Sequence, residues 1–89
     1  MHATVSLSEF DWDRRERRLL GYSEIFAGSF PESITVKSHK TGRELRFVPI
    51  RPGHPVYNED GWDGEQQVYE VANAAQGAGD ITLWLAHAY

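Results

Sequence analysis

The chain has 89 residues, no cysteine, and thirteen acidic against nine basic side chains, for a net charge of -4 and a pI near 5.4. That length holds one domain with a single thin core, so residues 1–89 are expected to fold as one unit. Without thiols there is no disulfide scaffold, no cysteine nucleophile and no thiolate zinc site, and a composition 40% hydrophobic and 25% charged is that of a globular chain.

Ser8 precedes Asp11 by three positions in a capping-box pattern, and the Arg- and Leu-rich run up to Leu20 lacks Gly and Pro until Gly21. This predicts a short helix over 9–20 with Phe10, Trp12 and Leu19 on its apolar side. Tyr22 to Phe30 reads as an aromatic loop or short strand packed through Ile25 and Phe26. Ser33–Ser38 and Arg43–Val48 alternate apolar and polar residues, and His39-Lys40-Thr41-Gly42 between them supplies a turn glycine, which predicts a hairpin. Pro49, Pro52 and Pro55 stiffen an extended connection, and Asn58–Gly64 reads as an acidic, turn-rich loop. Asp63 with Gln66 forms a second capping-box pattern. Val68, Val71, Ala72 and Ala75 then fall at helical spacing before Gly77, although Val68-Tyr69-Glu70-Val71 could equally begin a strand. Ile81, Leu83 and Leu85 alternate as a final strand. The expected fold is therefore α+β: a small antiparallel sheet of three or four strands packed with one or two short helices.

Charge is segregated along the chain. Residues 1–20 are neutral, residues 33–55 carry a net +4, and residues 56–89 carry -6 with no Lys or Arg at all. Such asymmetry steers partners. Trp62, set among Glu59, Asp60, Asp63, Glu65 and Glu70, is either core or the aromatic anchor of a protein interface. The competing surface is basic: Arg14, Arg15, Arg17 and Arg18 on the expected helix, with Lys37, Lys40 and Arg43 on the hairpin, could follow a phosphate backbone. The interleaved acids offer a plainer role for the arginines, as helical i,i+4 ion pairs such as Asp11–Arg15 and Asp13–Arg17.

Several chemistries are poorly served. A calcium loop starting at Glu59 places Asp63, Gly64 and Glu70 at suitable positions but puts Gly61 where a ligand is needed. The four histidines lack metal-binding spacing, Ser38-His39 has no nucleophile elbow, and Gly77-Ala78-Gly79 lacks the lysine of a phosphate loop. No enzyme, metal or cofactor is therefore expected. The N-terminal residues lack the basic start and apolar run of a signal peptide, and no apolar run approaches the roughly 20 residues of a membrane span, so a cytoplasmic location is expected. Trp84 and Tyr89 are candidate contacts for a homodimer.

At the hairpin Ile34–Phe47, and in its small size, the chain resembles accessory proteins of phages and plasmids, among which are the anti-CRISPR inhibitors. That resemblance implies a stoichiometric inhibitor that covers a nucleic-acid-binding surface of a CRISPR effector protein. Proteins of this group share an activity rather than a sequence, so the expected contact residues come from the charge pattern alone. They are Glu59, Asp60, Trp62, Asp63, Glu65 and Glu70.

Overall fold

The computed structural model describes residues 2–22, 30–39, 42–59, 62, 64–72 and 81–87. Seven strands form one sheet: β1 (His2–Ser6), β2 (Asp11–Asp13), β3 (Arg18–Tyr22), β4 (Ser33–Lys37), β5 (Glu44–Pro49), β6 (Gln67–Val71) and β7 (Thr82–Ala86). Among the described residues the only helical elements are two 3-10 turns, Leu7–Glu9 and Pro55–Asn58. The expected α+β architecture is thus corrected to a nearly all-β one.

The sheet runs β1-β4-β5-β6-β7-β3-β2, with β1–β4 and β7–β3 parallel and the other pairs antiparallel. It curls into a half-barrel. Chain connectivity helps to explain the curl. The two edge strands, β1 and β2, are joined directly by Leu7–Phe10. Five chain steps from Ser6 to Asp11 reach about 18 Å at most, so the edges must approach each other at that end.

The first predicted helix is a β-hairpin. Trp12 pairs with Leu19 and Asp13 with Arg18 across residues 14–17. A carboxylate oxygen of Asp13 accepts from the backbone N–H groups of Arg15 (3.1 Å) and Glu16 (3.3 Å). Arg17 completes the reversal in the left-handed region, at φ 54°. Asp13 thus stabilises a turn by the same side-chain-to-backbone bonding that caps a helix. The second predicted helix, 65–76, is β6 over 67–71, while residues 73–80 lie outside those described. β6 is a central strand between β5 and β7 with Val68 on the outer cluster and Tyr69 and Val71 in the main core, so its apolar residues show no simple period of two. The expected hairpin and final strand are β4–β5 and β7. The predicted packing of Ile25 and Phe26 falls outside the described residues.

Two hydrophobic layers sandwich the sheet. Inside the curl, Val5, Phe10, Ile34, Val36, Phe47, Tyr69, Leu83 and Leu85 form the main core. Phe10 closes it by laying its ring on Gly21, where even a methyl group would overlap the ring. Tyr69 is fully buried and donates its hydroxyl to the carbonyl of Pro31 at 2.6 Å. Burial, with a smaller contribution from Tyr57, pushes its phenol well above the usual tyrosine range, so it stays a neutral donor. Outside the curl, Ile50, Val56, Val68 and Trp84 form a smaller cluster, with Tyr57 and Trp62 packed against it. Trp84 is 1% exposed, which removes it as a dimer contact. Tyr89 lies outside the described residues.

Candidate functional site

Within the acidic segment, Tyr57 and Trp62 pack on the outer face. His54 caps the Pro55–Asn58 turn by accepting from the Val56 N–H at 3.1 Å. Tyr57 donates its hydroxyl to the Ile50 carbonyl at 2.6 Å, and Gln67 donates to that hydroxyl at 2.8 Å. The half-buried ring of Trp62 meets Tyr57 edge-on at 5.1 Å, and its indole N–H donates to the Gln66 carbonyl at 3.0 Å. Trp62 is therefore packed on the outer cluster and hydrogen-bonded, and it is half-buried. Glu59 and Glu65 flank it and are exposed, and Glu70 is exposed on β6 opposite Val48 and Thr82. Asp60 and Asp63 lie outside the described residues.

The basic residues are not arranged as a helix would arrange them. Arg14, Arg15 and Arg17 occupy the exposed β2–β3 turn, and the expected helical pairs with Asp11 and Asp13 have no helix to support them. Arg18 sits on the outer face of β3, its guanidinium 4.3 Å from the ring centroid of Trp84 and ion-paired with Glu16. Lys37 is also on the outer face, 3.4 Å from Glu44. Lys40 lies outside the described residues.

Two cations separated by nearly thirty positions line one groove. Arg14, from the β2–β3 turn, and Arg43, from the end of the β4–β5 hairpin, both line a groove of about 610 Å³ inside the curl. Its buried or half-buried lining is Leu7, Phe10, Leu19, Val36, Leu45 and Ile81, while Ser8, Trp12, His39 and both arginines are exposed. Ser38 completes the lining and is half-buried. Among the described residues, none that lines it is acidic. The sequence reading missed this site because it placed Phe10, Trp12 and Leu19 on a helix. The strict alternation of Phe10-Asp11-Trp12-Asp13 was the signal for a strand.

Among the described residues no group of three or more His, Asp or Glu side chains is placed to hold a metal ion, and no helix is long and apolar enough to cross a membrane. Comparison with known protein families, curated proteins and solved structures finds no match.

Proposed function

We propose that the chain is a non-catalytic binding protein whose acidic segment meets a basic surface on a partner protein. The observation that carries this reading is the packing of Trp62. The ring contact with Tyr57 and the indole bond to Gln66 hold Trp62 against the outer cluster, with exposed Glu59 and Glu65 flanking it in sequence. A side chain held in place before binding loses less conformational freedom when a partner docks. Carboxylates on a segment without any Lys or Arg would speed encounter with a cationic surface and set its orientation. A protein surface that ordinarily takes nucleic acid has the required character. The resemblance to phage and plasmid accessory proteins suggests a CRISPR effector subunit as the partner, with the chain acting as its stoichiometric inhibitor.

Nucleic acid as a direct partner is the weaker alternative. A phosphate track needs its cations along one path. Here Arg18 is turned onto Trp84 and Glu16, Lys37 is beside Glu44 on the outer face, and Arg14 and Arg43 border the inner groove.

The test is capture by the tagged full chain from a lysate containing a CRISPR effector complex, with and without nuclease. A stoichiometric, nuclease-resistant partner is expected, lost when Glu59, Glu65 and Glu70 are together replaced by lysine. Recovery of nuclease-sensitive material alone would sink the proposal and favour the arginines.

A further inference from the structure

The two edge strands of the sheet differ in character. β2 is three residues long and carries Asp11 and Asp13, which alternation places on the same face. Short length and charge are the common guards of a strand edge against pairing with another chain. β1, at the other edge, has neither guard: His2-Ala3-Thr4-Val5-Ser6 spans five residues without a carboxylate, Lys, Arg, Pro or Gly. It pairs with β4 on one side, and on its other side it meets no strand among the described residues. Nor is β1 a loose end. Nδ1 of His2 lies 2.6 Å from the Ser33 hydroxyl and Nε2 lies 3.0 Å from that of Thr35, so the first residue of the strand is tied to β4. Ala3 and Val5 turn toward the main core, while His2 and Thr4 are exposed on the opposite face.

We infer that β1 is a self-association edge, where a second copy of this chain adds its own β1 antiparallel about a two-fold axis at Thr4 and joins the two sheets into one. In that register Thr4 faces the second copy's Thr4, His2 faces its Ser6, and Ala3 faces its Val5. Every pair is compatible: polar groups meet on the outer face, a small side chain meets a branched one on the core side, and no like charges oppose. The same operation on β2 would set Asp11 against Asp13, which is why the contact falls on β1. Docking leaves no polar side chain stranded, because His2 keeps Ser33 and Thr35 and Ser6 keeps its 2.8 Å bond to Ser8. What the second copy supplies is partners for the backbone N–H and C=O groups along the free side of the strand. An uncharged edge has nothing with which to select a charged peptide, whereas its own sequence is self-complementary, as a two-fold contact requires. None of the acidic residues of the partner-binding reading lies on β1, so the two proposals stand or fall separately.

The test is sedimentation velocity of the full chain from about 10 μM to about 1 mM, the range in which a small interface dissociates. The wild-type chain is expected to show a monomer–dimer equilibrium. Thr4→Lys and Thr4→Glu each place two like charges opposite one another at the axis, and each should weaken the dimer by about tenfold or more. An equal mixture of the two variants sets the lysine of one against the glutamate of the other, and a dimer containing one copy of each should return. Thr4 is exposed, so both variants should keep the wild-type melting temperature at low concentration, and a restored mixed dimer itself shows that both fold. A wild-type chain that stays monomeric throughout, a dimer indifferent to Thr4→Lys, or a mixture that remains monomeric would each overturn the inference.

Discussion

Replacing Gly21 by alanine places a methyl group in space occupied by the ring of Phe10. The backbone there is ordinary extended strand, so the cost comes from contact rather than from φ. Two responses are open. Phe10, only 6% exposed, can swing out of the core and forfeit its burial, worth about 1.5–3 kcal/mol for a large apolar side chain. Otherwise β3 moves away from Phe10 and strains its pairing with β7, at a typical overpacking cost of about 1–3 kcal/mol. The molecule takes the cheaper route, so Gly21→Ala should destabilise by about 1–3 kcal/mol. At about 4–8 °C per kcal/mol for a domain of this size, the loss is visible in both thermal and urea unfolding. A double-mutant cycle isolates the cause. Phe10→Leu alone should destabilise, yet in its presence the added cost of Gly21→Ala should shrink by at least half, because the rigid ring edge is gone. A neutral Gly21→Ala, or additive effects of the two changes, would refute the claim that Phe10 closes the half-barrel by resting on Gly21.

Two further changes probe the layers on either side of the sheet. Tyr69→Phe leaves the buried Pro31 carbonyl without its donor and should cost about 1–3 kcal/mol. The same group predicts alkaline sensitivity: the folded phenol titrates above its unfolded value near 10, so above about pH 10 the unfolded chain releases a proton that the folded chain keeps. Stability should therefore be full below pH 10 and fall as pH rises beyond it, and Tyr69→Phe should flatten that fall in denaturation curves taken from pH 8 to 11. On the outer face, Trp62→Ala removes a half-buried ring from the cluster with Tyr57 and should destabilise by about 2 kcal/mol, roughly half the loss for a fully buried aromatic. An unchanged melting temperature would return Trp62 to the role of a pure interface residue.

The β4–β5 hairpin was legible because Ile34, Val36, Leu45 and Phe47 alternate toward one core and Gly42 at φ 68° marks the reversal, and β7 was legible from the alternation of Ile81, Leu83 and Leu85, although Trp84 buries its other face as well. Residues 9–20 were not legible, since Ser and Asp side chains serve a helix start and a turn equally well, and here Asp13 bonds the backbone N–H groups of a turn. Intrinsic helix preference over so short a run amounts to a few kcal/mol at most, and pairing β3 with β7 outweighs it. The spacing of Val68, Val71 and Ala72 was ambiguous for a related reason, because a central strand covered on both sides shows no period of two. The sites divided in the same way. Charge segregation along the chain, and with it the exposed Glu59, Glu65 and Glu70, follows from the sequence alone, because charged side chains seek water whatever the fold. The groove was decided only by tertiary structure. Arg14 and Arg43 lie nearly thirty positions apart, and they line one groove only because of a long-range strand order and the short Leu7–Phe10 connection between the sheet's two edges.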